Sequence, residues 1–273
     1  MTPTTTIHPV YGQAYGGMAP ENYQRYFVPA IGGPFAADLI EDAALGPGER
    51  VLDVACGTGV VTRLAAERVG PGATVAALDV NAAMLSTARS IPSSGAAIQW
   101  YETSAEAMPL PDDVFDVVLC QLGLQFVADK KAALSEIRRV LVPGGRVLVS
   151  VPPPSAFFNV LDEALARHVG DEAAGFVRMV FSLSASATIE RLFRDAGFHD
   201  VAVRSFSKTL RLPAARDFLW QYVHCTPLTG MLSNLDAARI AALEEEVVRA
   251  WQPWSEDGGM RCEQGMNVAK AHK

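Results

Sequence analysis

Two aspartates and two glycines stand at spacings that suit a nucleoside-binding crevice. In "VLDVACGTGVV", residues 51–61, Asp53 sits inside an apolar run that ends in a turn built on Gly57 and Gly59. Asp79 closes the next apolar run, 22 residues after Gly57. Glycine turns that follow strands often cradle phosphates, but a buried carboxylate beside one would repel a diphosphate in a low-dielectric site. A ligand that carries an ammonium group gains from the same carboxylate. A carboxylate in the position of Asp79 can accept both hydroxyls of a ribose laid across the carboxyl edge of a sheet. In "GTGVVT" the third glycine position of a dinucleotide fingerprint is Thr62, which weakens the dinucleotide reading further. Together these residues describe an adenosine with an amino-acid tail, S-adenosylmethionine, as the cofactor.

Such residues need strands to hold them at one sheet edge, and the chain supplies them. Between residues 50 and 151 the Val- and Leu-rich runs "RVLDVA", "TVAALDV", "AIQWYETS", "FDVVLCQL" and "GRVLVSV" alternate with amphipathic segments read as helices at 60–67, 82–90 and 132–141. Strands apolar on both faces, alternating with helices, indicate an α/β doubly wound parallel sheet covered on both sides. Residues 1–20 are polar and glycine-rich and are expected to form a mobile N-terminal arm, ahead of one domain over 21–273. Residues 21–45 read as two short helices separated by a Gly32-Gly33-Pro34 break. Beyond "VPPPSAF" the chain turns more helical, with helices read at 156–169, 173–180, 188–196, 214–223 and 235–251 and strands at 201–212 and 260–269.

Composition bounds the function. A chain of 273 residues that is 49% hydrophobic can bury a substantial core. The net charge of −7 argues against a sequence-independent hold on nucleic acid, which needs a basic face. Cys56, Cys120, Cys225 and Cys262 are scattered and lack metal-type pairing, the pattern of space-filling thiols in a reducing compartment. No secretory leader and no membrane span is read, so a cytoplasmic location is expected.

The segments "VLDVACGTGVVT", "LDVNAAML", "TSAEAMPLPDDVFDVV" and "EIRRVLVPGGRVLVSV" resemble, in order and spacing, the class I S-adenosylmethionine-dependent methyltransferases, in particular the type 11 branch that includes the ubiquinone and menaquinone biosynthesis enzymes. The resemblance is close over residues 28–151. It implies a seven-stranded Rossmann-like methyltransferase sheet with its last strand antiparallel, and a turn of Ala55, Cys56, Gly57, Thr58 and Gly59 around the methionine part of the cofactor. By the same resemblance Asp79 holds the ribose, Val80 and Met84 flank the adenine, and Cys120, Gln121 and Leu122 line the methyl-donating side. Where the family usually has an aspartate, a small residue and a glutamate, this chain has Ser104, Ala105 and Glu106. A hydroxyl accepts the adenine amino group without charge assistance.

The acceptor is expected to be a small molecule, phenolic or quinol-like, under a helical substrate cap at about 152–187 and 213–258. His224, flanked by Trp220, Tyr222 and Met231, is the candidate general base. His168 and His199 are weaker candidates. Tyr11, Tyr15, Tyr23 and Tyr26 suggest a lid over the cofactor, with Tyr23 the one expected to touch it. Two rivals stay open: an NAD-dependent oxidoreductase on a related sheet, and a cofactor-binding module without catalysis. Macromolecular acceptors are disfavoured, since no basic cluster is present and "VPPPS" follows the fifth strand, not the fourth. Association into a homo-oligomer is compatible with the sequence.

Overall fold

Every residue of the first two strands is buried, because neighbours in sequence feed opposite faces of one sheet. Val51 joins the core on one side and Leu52 and Val54 the core on the other; Val117 and Leu119 alternate with Val118 in the same way. The computed structural model describes residues 11–273. Its strands are β1 (Val51–Val54), β2 (Val75–Asp79), β3 (Ile98–Glu102), β4 (Phe115–Gln121), β5 (Leu141–Val151), β6 (His199–Leu212), the short β7 (Ser255–Glu256) and β8 (Gly259–His272). The order is β3-β2-β1-β4-β5-β8-β6, with β7 paired to β8 outside that path. β1 to β5 are mutually parallel, and β8 runs antiparallel to β5 and β6. The seven-stranded α/β sheet with an antiparallel last strand is therefore present, with a two-residue eighth strand added.

The chain order reverses between β1 and β4, so the loops after these strands diverge and open a crevice at their carboxyl ends. Helices begin where side chains satisfy the first free N–H groups. Asn81 accepts from the Met84 N–H at the start of α4 (Ala82–Ser90), and Asp129 from the Ala132 N–H at the start of α5 (Lys130–Val140).

The expected break at Gly32-Gly33-Pro34 is absent. Residues 19–43 form one continuous helical run: α1 (Ala19–Asn22), a π-helix (Tyr23–Gly32) and α2 (Gly33–Ala43). Pro29 cannot donate a helical hydrogen bond and its ring crowds the preceding turn, and the wider π-helix accommodates it. Gly33 permits the junction, since a Cβ there would lie 2.9 Å from the Val28 carbonyl oxygen. Pro34 is the second residue of α2, and its ring fixes φ near the helical value.

The remaining helices are α3 (Val60–Val69), α6 (Ala156–His168), α7 (Asp171–Val180), α8 (Ser186–Asp195), α9 (Ala215–His224), α10 (Leu228–Leu232) and α11 (Ala237–Ala250). Buried residues of α6, α7, α9, α10 and α11 share one core with α2 and α3, whereas α5 and α8 cover the opposite face. Trp251, fully buried, stacks on Phe157 at 4.6 Å between ring centroids and donates its Nε1–H to the Phe157 carbonyl at 2.9 Å. No helix among the described residues is long and apolar enough to cross a membrane.

Candidate active site

Asp53 reaches the crevice as the third residue of β1, and it is 1% exposed. Thr62, in the first turn of α3, donates its hydroxyl to the Asp53 carboxylate at 2.5 Å. Thr62 thus does more than replace a glycine: it is the partner without which Asp53 would be a buried charge lacking a direct donor. Burial pushes the Asp53 carboxyl up to about 7, against the pull of Thr62 and with the nearby Asp79 charge adding to the rise. Thr62→Val is expected to lower unfolding free energy at pH 8 by about 1–3 kcal/mol, the usual cost of removing one partner of a buried polar pair, measured by urea denaturation.

Asp79, at the end of β2, is held from both sides. Its Oδ2 accepts the Gly57 N–H at 2.8 Å and its Oδ1 accepts the Asn81 N–H at 2.9 Å. Each carboxylate oxygen keeps a further lone pair for a ligand. Gly57 has φ +54°, which presents its N–H to Asp79 at little backbone cost. Gly59, with φ +78°, has another role: a Cβ there would lie 2.7 Å from the Trp100 ring, so it serves packing behind the turn and does not line the crevice.

Next to Asp79, Val80 is 38% exposed and Met84 is buried, and both face the crevice. An uncovered valine beside the Asp79 carboxylate offers an apolar face to a flat ring. On the other side lie Ser104, Ala105 and Glu106. The Ser104 hydroxyl accepts the Glu106 N–H at 3.1 Å, a local turn bond, so part of its accepting capacity is already taken. Gln121 and Leu122 line the crevice after β4, whereas Cys120 is 1% exposed within the core, its thiol pushed up to about 12 by burial.

Ala55 and Leu122, on the loops after β1 and β4, both have positive φ, 55° and 53°. Such strain in side-chain-bearing residues clusters at functional sites. The two loops approach closely enough that a Cβ on Gly123 would lie 2.6 Å from the Ala55 Cβ.

The crevice is a cavity of about 400 Å³. Its lining includes three carboxylates, Asp53, Asp79 and Glu106, and among the described residues no lysine, arginine or histidine. That charge pattern opposes a diphosphate and favours a cationic ligand. Two buried polar atoms on residues of the wall, the Thr58 hydroxyl and the Gln121 Oε1, have no partner among the described residues and are free to meet a ligand.

Comparison with known proteins agrees. Residues 52–149 match the family model of a methyltransferase domain, type 11. The ubiquinone/menaquinone biosynthesis C-methyltransferase UbiE of Ectopseudomonas mendocina is 45% identical over 113 residues, 40% of this chain and 44% of that protein. UbiE of Pectobacterium carotovorum subsp. carotovorum is 34% identical over 178 residues, 59% of this chain and 71% of that protein. The chain belongs to the class I S-adenosylmethionine-dependent methyltransferases, type 11 branch. It spans less than half the length of the first of these relatives. In fold, this methyltransferase is similar to phosphoethanolamine N-methyltransferase 2 of Haemonchus contortus, solved with phosphomonomethylethanolamine and S-adenosylhomocysteine, with a TM-score of 0.58 and 19% identity over 93% of this chain and 56% of that one.

The methyltransferase has a second cavity, of about 70 Å³, beside the first. The two share Tyr15, Tyr23, Leu122 and Phe126 as a common wall. Tyr23, Phe27, Ile31 and Phe35, spaced four apart on the helical run, form one side, and Tyr23 stacks on Phe27 at 4.5 Å. Phe158 of α6, Phe176 of α7 and Tyr222 of α9 close the other sides. Sequence reasoning missed this cavity apart from Tyr222, because its lining is drawn from many separate segments.

His224 is a correction. It is exposed and lines neither cavity. Tyr222 and Val223 face the core, and two residues of helix advance the chain by about 200°, which turns His224 outward. Its carbonyl accepts the Asn22 side-chain N–H at 3.2 Å. Trp220 donates to Glu244 at 2.6 Å, and Met231 lies on another part of the surface. His168 pairs with Glu246, and His199 with Asp200, both away from the cavities.

Of the expected arm, residues 1–10 lie outside the described residues. Residues 11–20 are anchored. Tyr11 is buried and its hydroxyl donates to the Glu172 carbonyl at 3.2 Å, while the Asn81 side chain donates to the carbonyls of Gly12 and Tyr15 at 3.2 and 3.0 Å. Gly12, Gln13 and Tyr15 form part of the cofactor cavity wall.

Proposed function

We propose that this chain transfers a methyl group from S-adenosylmethionine to a small, apolar, ring-bearing acceptor, phenolic or quinol-like, seated in the second cavity. The observation that carries this reading is the common wall. A donor in the acidic crevice and an acceptor among the aromatic rings would meet across Tyr15, Tyr23, Leu122 and Phe126. The names of the relatives, quinone-biosynthesis C-methyltransferases, support the acceptor class.

Bound S-adenosylmethionine supplies an activated methyl on a sulfonium, open to in-line displacement. The chain's own work is to bind, orient and dry the site. Asp53, with the turn from Ala55 to Thr58, takes the amino-acid tail, and Asp79 takes the two ribose hydroxyls. Val80 and Met84 pack on the adenine, whose amino group meets Ser104, Ala105 and Glu106. Gln121 and Leu122, backed by Cys120, border the methyl side. Among the described residues no histidine, carboxylate or lysine lines the acceptor cavity, and the Tyr15, Tyr23 and Tyr222 hydroxyls are held neutral by burial. Positioning therefore outweighs side-chain base catalysis.

Residues 11–17 act as the lid, latched by Asn81, whose backbone N–H also holds Asp79. Deleting residues 1–17 is expected to weaken S-adenosylhomocysteine binding roughly tenfold, an equivalent of about 1.4 kcal/mol, in a calorimetric titration. Unchanged affinity would remove the lid. For the function itself, the protein is incubated with S-adenosylmethionine labelled in its methyl group and with panels of phenols, quinol precursors and amines. Label is expected in the first two panels; label confined to amines, or none, contradicts the proposal.

A further inference from the structure

Gln125 is 1% exposed, lines the second cavity, and among the described residues has no partner for either its Nε2 or its Oε1. A buried amide left entirely unsatisfied is costly, and native chains keep one where a ligand or a bound water completes it. Gln264 repeats the pattern in part. It is 3% exposed and lines the same cavity, and its Nε2 donates to the carbonyls of Pro153 and Gly265 at 3.2 and 3.0 Å while its Oε1 stays unpaired. The rest of the wall is aromatic and aliphatic apart from the Tyr and Thr226 hydroxyls, and among the described residues it holds no ionisable group other than tyrosine.

We infer that Gln125 is the specificity-determining residue for the acceptor, reading one uncharged group that both donates and accepts a hydrogen bond, a hydroxyl or an amide, on a flat apolar ring. The inference rests on the methyl-transfer reading for its meaning. The donor N–H groups of Gln125 meet the acceptor's oxygen, and the Oε1 atoms of Gln125 and Gln264 stand ready for its hydrogen. A cation would enter without a carboxylate to pair it, and an anion without a cation, so both are disfavoured by desolvation. An analogue that lacks the hydroxyl leaves the amide orphaned, which is the arrangement that discriminates most strongly between near-isosteric ligands.

The test uses three one-ring probes of similar size, phenol, toluene and benzylammonium, the last a cation at neutral pH, titrated into the full chain with and without saturating S-adenosylhomocysteine. The wild type is expected to bind phenol roughly tenfold or more tighter than toluene, with the ammonium weakest. Gln125→Leu should bring phenol and toluene to within about threefold while leaving S-adenosylhomocysteine affinity unchanged. Gln125→Glu, which keeps the side-chain volume, should shift preference towards the ammonium, so the idea stays testable if the leucine variant folds poorly. It is overturned if the wild type shows no preference for phenol over toluene, if both variants keep that preference, if the ammonium binds tightest to the wild type, or if no probe binds. Failure of S-adenosylhomocysteine itself to bind would instead sink the methyl-transfer reading, because the titrations without it stand alone.

Discussion

Asp79→Ala lowers affinity for S-adenosylhomocysteine at least about a hundredfold, measured by calorimetry against the wild type at one pH. The size follows from two charge-assisted hydrogen bonds to the ribose, each worth about 1.5–3 kcal/mol, where about 1.4 kcal/mol is a factor of ten. Asp79 also anchors the Gly57 N–H and the Asn81 N–H, so its loss loosens the glycine turn and the latch of the lid together. Asp79→Asn separates these contributions. It keeps one accepting oxygen but turns an N–H₂ towards a donor, and its loss should be intermediate. Affinity within about threefold of wild type for the alanine variant would show that the ribose lies elsewhere, since the loss of even one such bond exceeds that.

Affinity for the same ligand rises with pH between about 5 and 8, by roughly tenfold or more, and Asp53→Asn flattens the rise. The sign comes from a carboxyl at about 7 in the folded, unliganded chain against an ordinary 3.8. Below 7 Asp53 is mostly protonated and offers an ammonium no charge; above 7 it is ionised and pairs with it. The same group makes the free protein bind more protons folded than unfolded between those two values. Its contribution to stability is therefore fully present below the ordinary value and declines as pH rises through 7. Unfolding measured without ligand should show that decline, and a saturating ligand should reduce it. A pH-independent affinity, with Asp53→Asn binding as tightly as the wild type, would mean that Asp53 serves only to fasten Thr62.

Much of this was legible in the sequence where local pattern and tertiary structure agree. β1, β2 and most of β4 are buried on both faces, so these strands read as apolar blocks, and Asp53, Gly57 and Asp79 punctuate them at the sheet edge. Thr62 was legible only as a missing glycine. Its hydroxyl matters through Asp53, nine residues away, and one turn of helix into α3 is the signal that could have paired them. The Gly32-Gly33-Pro34 signal failed because packing overrode it: the π-helix absorbs Pro29, and Gly33 allows the tight contact with Val28. His224 failed because a chemically apt residue type was chosen without the helical phase that turns it to solvent, although Tyr222 two residues earlier faces inward. Gln125 carries no motif at all. It shows itself only when burial and an empty partner list are known for the same side chain.

A crystal structure of the full chain with S-adenosylhomocysteine bears most directly on these assignments. Both ribose hydroxyls should lie within about 2.7–3.2 Å of the Asp79 carboxylate, with the amino group near Asp53 and the sulfur facing the wall shared with the aromatic cavity. A nucleoside bound with its ribose away from Asp79, or a crevice that stays empty at saturating ligand, contradicts them.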